Sequence, residues 1–135
     1  MKYLCAIPAL PVRDIEAAAA FYRDKLGFHL RYFNESGYAV LCRDAVEIHL
    51  WAATDEAWRA RDGSAPVVSG AESFLAGTAS CRISVEGVDE WHQQIQPLNI
   101  IHPNGPLRDT DFGTREFAVL DPDNNLITFF ERIEK

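Results

Sequence analysis

The sequence predicts an α+β fold of two tandem modules, each a strand, a helix and three further strands, and three observations carry that reading. A short apolar strand is followed by an amphipathic helix with a start signal and a glycine stop, and then by three alternating runs. The same pattern returns 73 positions later, pairing Leu10 with Ile83, Val12 with Val85, Ile15 with Val88 and Tyr22 with Ile95. Between the copies, residues 54–77 change character, with Asp62-Gly63-Ser64, Pro66, Ser69-Gly70 and Gly77 spaced as in a surface connection.

In the first module, Leu4 to Val12 reads as a strand. Asp14 stands where a helix N-cap belongs, its carboxylate able to accept from the free N–H groups of the next turn. Ile15, Ala18, Ala19, Tyr22 and Leu26 recur at three and four residues, while Glu16, Arg23, Asp24 and Lys25 fall off that stripe. Gly27 ends the helix as a left-handed residue. Phe28–Phe33, Tyr38–Arg43 and Val46–Trp51 read as strands, separated by the turn formers Asn34-Glu35-Ser36-Gly37 and Arg43-Asp44-Ala45.

The connector carries one expected helical turn around Trp58. In the second module Cys81, Ile83 and Val85 alternate, and Gly87-Val88-Asp89-Glu90 opens a helix continued by Trp91, Ile95 and Leu98. A short strand is expected at Asn99–His102, a loop from Pro103 to Phe112, and strands at Arg115–Leu120 and Leu126–Glu131. Asp121-Pro122-Asp123-Asn124-Asn125 joins the last two as a turn in which Asn tolerates a positive φ. One domain, 1–135, is expected, with modules of about 1–53 and 78–135. Each helix covers one face of its sheet and leaves the other to curl over something.

Composition removes several function classes. Of 135 residues, 47% are hydrophobic and 24% charged, which fits an ordinary folded domain rather than a disordered or fibrous chain. The formal charge of −7 has no basic cluster within it, so a nucleic acid partner would be repelled. No apolar run approaches the roughly 20 residues of a membrane span. The N-terminal stretch is broken by Pro8 and Pro11, unlike a signal peptide, so a cytoplasmic location is expected. Cys5, Cys42 and Cys81 are odd in number and far apart, each within an apolar strand-like run, the setting of a buried, inert thiol.

No nucleophile elbow, phosphate loop or His-Glu-x-x-His helix is present. His29, His49, His92 and His102 are not spaced as metal pairs, and a surface or packing role is expected for each. The aromatic residues are more informative, because Tyr32, Tyr38, Trp51, Trp58 and Phe112 fall at strand ends or in loops. Along Val46–Trp51, the apolar Val46, Ile48 and Leu50 alternate with Glu47, His49 and Trp51. The face bearing the acid, the imidazole and the indole is either solvated or the wall of a pocket.

Three segments carry a resemblance over nearly the whole chain: Val12-Arg13-Asp14-Ile15 leading to Phe21-Tyr22-Arg23-Asp24-Lys25-Leu26-Gly27-Phe28, Gly113-Thr114-Arg115-Glu116-Phe117-Ala118 leading to the 121–125 turn, and Ala6-Ile7-Pro8. With these the chain resembles the bleomycin resistance family of the vicinal-oxygen-chelate superfamily, a glyoxalase-like fold shared with extradiol dioxygenases and fosfomycin resistance enzymes. One departure is Asn124, where the family usually has Gly. The resemblance implies a cytoplasmic homodimer that sequesters a bleomycin-type glycopeptide antibiotic without modifying it, in crevices between two subunits, with Tyr32, Tyr38, Glu47, His49, Trp51 and Phe112 binding the drug. It also implies an N-terminal strand exchanged with the partner, Pro8 serving as hinge.

Superfamily enzymes hold a divalent metal at positions that here carry Ile7, Ser80 and Thr128. Only Glu47 or His49 offers a donor, short of the three protein ligands of an open catalytic site. The expectation is therefore a binding protein with no catalytic residues, no cofactor and no resident metal, any metal arriving inside the drug. The alternatives are a metal-dependent lyase, dioxygenase or thiol transferase, and a binder of another aromatic metabolite.

Overall fold

The computed structural model describes residues 1–53 and 76–133. In it, β1 (Ala9–Val12) passes through Asp14 into α1 (Ile15–Asp24), and the Asp14 carboxylate accepts from the Ala17 amide at 3.0 Å, as an N-cap does. Ile15, Ala18, Ala19 and Tyr22 are buried along one side of α1, joined by Phe21, and Leu26 is buried beyond its end. Gly27 then reverses the chain at φ 75°, where any β-carbon would also meet the Arg43 guanidinium. β2 (His29–Asn34), β3 (Tyr38–Arg43) and β4 (Val46–Ala52) complete a sheet of order β1-β4-β3-β2, with β1 parallel to β4.

The second module repeats this plan with β5 (Ser80–Ser84), α2 (Val88–Ile95), β6 (Arg108–Asp109), β7 (Thr114–Leu120) and β8 (Leu126–Arg132), in the order β5-β8-β7-β6. The internal repeat extends to strand register. Ala9 lies opposite His49 and Pro11 opposite Trp51, and 73 residues on, Arg82 lies opposite Thr128 and Ser84 opposite Phe130. Both modules share one core, in which Leu10, Tyr22, Leu41 and Leu50 of the first join Ile83, Val88, Phe117 and Ile127 of the second. Among the described residues, no helix is long and apolar enough to cross a membrane.

Four expectations need correction. The first strand begins at Ala9 rather than Leu4, because pairing with β4 ends where the Pro8 carbonyl accepts from the His49 amide at 3.0 Å. Residues 1–7 lie outside any strand, with Tyr3 at 87% and Leu4 at 85% exposure, and Cys5 is exposed instead of buried. Residues 99–102 form a single bridge, Ile101 opposite Val119, since the chain turns back where Gly105 N–H reaches the His102 carbonyl at 2.8 Å. The strand after α2 is instead Arg108–Asp109, inside the expected loop. The helical turn around Trp58 lies outside the described residues.

The Asp121–Asn125 turn fastens one module to the other. The buried Asp121 carboxylate accepts from the Tyr22 hydroxyl at 2.9 Å, from the Asp123 and Asn125 amides at 2.9 Å each, and from Asn125 Nδ2 at 3.0 Å. Asn125 Nδ2 also donates to the Pro11 carbonyl at 2.8 Å, and Asp123 accepts from the Arg13 amide at 3.0 Å. Asn124 takes φ 67°, the left-handed conformation that Asn tolerates better than other non-glycine residues, which accounts for its standing in place of Gly.

The thiols should now separate chemically. Burial, with the Asp121 charge second, pushes Cys81 up to about 11, so it stays protonated and unreactive at neutral pH, whereas Cys5 is exposed. A thiol reagent at pH 8 is expected to label Cys81 only on unfolding. Labelling of Cys81 in the native protein, resolved by peptide mass, would contradict this.

Candidate functional site

Alternation along β4 sends Ile48 and Leu50 into the core and turns Glu47, His49 and Trp51 to the opposite side. Across the ladder Tyr38 lies opposite Trp51, Val40 opposite His49 and Cys42 opposite Glu47, with Tyr32 of β2 beyond Val40. Five of the six expected residues thus share one sheet face. The Tyr38 ring centroid is 4.3 Å from that of Trp51, 5.4 Å from the His49 ring and 5.7 Å from Tyr32, itself 50% exposed. Such a row of rings offers flat apolar area for stacking at little conformational cost.

Beneath the rings runs a polar chain. Tyr38 Oη is 3.0 Å from His49 Nδ1, His49 Nε2 is 2.6 Å from Glu47 Oε2, and Arg31 closes on Glu47 Oε1 at 3.1 Å. The His49 hydrogen bond, helped by the Arg31 charge, holds the Glu47 carboxyl below its usual range. Burial, reinforced by the Glu47 charge, raises the Tyr38 phenol.

Phe112 is not part of this cluster. It lies before β7 on the second sheet, where the Arg82 guanidinium sits 5.9 Å from its ring centroid and 4.6 Å from that of Phe130. Glu116 holds Arg82 through two bonds of 2.9 and 3.2 Å and accepts from the Thr114 hydroxyl at 2.7 Å. A cleft of about 430 Å³ opens over Arg82, Phe112, Thr114, Phe130 and Arg132. The Arg82 bond lowers the Glu116 carboxyl despite its burial. Glu47 and Glu116 therefore both add stability that is present above the ordinary carboxylate range and lost as pH falls through their lowered values.

Arg31, Arg82, Glu116 and Phe130 were not expected from the sequence. Phe130 carried a signal, because it occupies on β8 the register position that Trp51 occupies on β4. A larger cleft, about 550 Å³, lies between the end of α1 and α2, where Arg43 stacks 4.8 Å from the Trp91 ring centroid, and none of the expected residues lines it.

At the superfamily's ligand positions the donor chemistry does not suit a divalent metal. Ile7 and Thr128 provide no strong donor, Ser80 is exposed, and Glu47 and His49 are already bonded to each other. Among the described residues no three His, Cys, Asp or Glu side chains converge. Among the described residues neither face is locally acidic, since Arg31 compensates Glu47 and Arg82 compensates Glu116. The excess of seven negative charges acts as a field of the whole protein.

Paired four-stranded sheets with one aromatic, hydrogen-bonded face apiece define a two-module α+β class that serves both binding proteins and enzymes. The profile of the Glyoxalase/Bleomycin resistance protein/Dioxygenase superfamily matches residues 5–129, and the chain belongs to that superfamily. A bleomycin resistance protein from Geobacillus stearothermophilus is 59% identical over 131 residues, 97% of this chain and 98% of that relative. The bleomycin-binding protein of bleomycin-producing Streptomyces verticillus, solved with copper(II)-bleomycin, shares the fold at a TM-score of 0.72 and 23% identity, over 100% of this chain and 99% of its own. Lactoylglutathione lyase from Agrobacterium tumefaciens does so at 0.73 and 20% identity, over 97% and 95%. At these identities the two structures establish the fold alone.

Proposed function

We propose that this chain is an antibiotic-binding protein that confers resistance by sequestering a bleomycin-type glycopeptide without modifying it. The 59% identity to a bleomycin resistance protein across 97% of the chain carries this reading, and the open aromatic face of Tyr32, Tyr38 and Trp51 supports it chemically. Stacking on each well-placed ring contributes about 0.5–1.5 kcal/mol beyond the area buried. The functional unit is a homodimer with two equivalent crevices, acting in the cytoplasm. Its N-terminal arm, hinged at Pro8, places the exposed Tyr3, Leu4 and Ile7 against the partner. Superfamily enzymes offer the competing reading, which the donor set at Ile7, Ser80 and Thr128 disfavours.

Titrating tryptophan fluorescence with a bleomycin tests the proposal. Saturable quenching at about one drug per chain is expected, and Trp51→Ala should remove most of it. Added salt should weaken binding by screening the long-range field. No saturable response at tens of micromolar drug would defeat the assignment, and recovery of a chemically altered drug would point to catalysis.

A further inference from the structure

Tyr38, His49 and Glu47 form a chain whose polarity is set from its carboxylate end. His49 Nε2 lies 2.6 Å from Glu47 Oε2, while Arg31 holds the other carboxylate oxygen, Oε1, at 3.1 Å, and an unprotonated nitrogen there would oppose a lone pair to a carboxylate. Nε2 therefore carries the proton, and in the neutral ring Nδ1 is left as an acceptor. Tyr38 Oη, 3.0 Å from Nδ1, donates its one proton inward and presents only lone pairs to the aromatic face. Protonating His49 reverses this bond. Nδ1–H then donates to Oη, and the phenolic proton turns outward.

We infer that His49 is a positioning residue that makes Tyr38 a hydrogen-bond acceptor for a cationic ligand bearing N–H donors, and that protonating His49 turns the phenolic proton toward those donors and so weakens the contact. The inference rests on the drug-binding reading for the ligand, but not for the state of the ring. Glu47 and Tyr38 face His49 directly. From β2, Arg31 acts through Glu47 and Tyr32 through Tyr38, while Cys42 of β3 stands 3.9 Å from Glu47 and opposite His29. Just before β1, the Pro8 carbonyl accepts from the His49 backbone amide.

Because one proton on His49 competes with the ligand, affinity should fall on acidification, by at most about tenfold per pH unit. Calorimetric titration with a bleomycin between pH 5 and 8, the range imidazoles cover, should be run in about 0.5 M salt to screen the imidazolium charge itself. Tyr38→Phe keeps the ring but lacks the hydroxyl, and its affinity should vary less than twofold per unit beyond the drug's own titration, which is common to both proteins. Equal slopes in wild type and Tyr38→Phe would overturn the inference. In the free protein at pH 8, ¹⁵N spectra should show the Nε2–H tautomer of His49, and an Nδ1–H tautomer would overturn it too. Absence of drug binding would overturn the proposed function and the ligand half of this inference, while the tautomer would still decide the other half.

Discussion

Asp121→Ala is expected to cost about 3–5 kcal/mol of folding stability, less than the sum for four donors stranded separately. The reason is what remains behind. The carboxylate accepts four hydrogen bonds, and its loss strands the Tyr22 hydroxyl, Asn125 Nδ2 and the amides of residues 123 and 125 in a buried site. Each stranded donor costs about 1–3 kcal/mol, less when several relax together. Since Asn125 also bonds the Pro11 carbonyl and Tyr22 belongs to α1, the damage falls on the junction of the two modules. Tyr22→Phe should cost much less, about 1 kcal/mol, because it removes one donor and leaves the acceptor with three. Urea unfolding at neutral pH, read as ΔG by linear extrapolation, checks both. A loss below about 1 kcal/mol for Asp121→Ala would show that the modules do not depend on this turn.

Helical signals lie close together in sequence, and α1 was legible from its cap to its stop. Asp14, the stripe ending at Leu26 and Gly27 act within a few residues of one another, and each takes the expected role. Strands depend on partners that sequence does not name. Residues 4–7 have strand composition, yet pairing with β4 ends at Pro8. β6 is two polar residues, too short to carry any period. The same division runs through the site. Alternation placed Glu47, His49 and Trp51 together, and register brought Tyr38 and Tyr32 onto their face. Arg82 and Glu116 stand 34 positions apart in sequence, and only the fold places them 2.9 Å apart, with the Arg82 guanidinium against two phenylalanine rings.

Mixing two weakened variants should restore half of the high-affinity drug sites. Trp51 stands on the first sheet and Phe112 on the second. In the proposed dimer, a crevice using both rings would be built from the first module of one subunit and the second module of its partner. Trp51→Ala alone damages both crevices, as does Phe112→Ala alone. A central aromatic anchor of this kind is worth about 2 kcal/mol or more, roughly a thirtyfold loss of affinity. In a mixed dimer both substitutions fall into one crevice, and the other keeps Trp51 from one subunit and Phe112 from its partner. Differently tagged chains, co-expressed and purified through both tags, are therefore expected to bind one drug per dimer at wild-type affinity, with the second site weaker than in either single variant. Two equally weakened sites in the mixed dimer would mean that each crevice is completed within one chain, and the Phe112 cleft would then belong to a site separate from the Trp51 face.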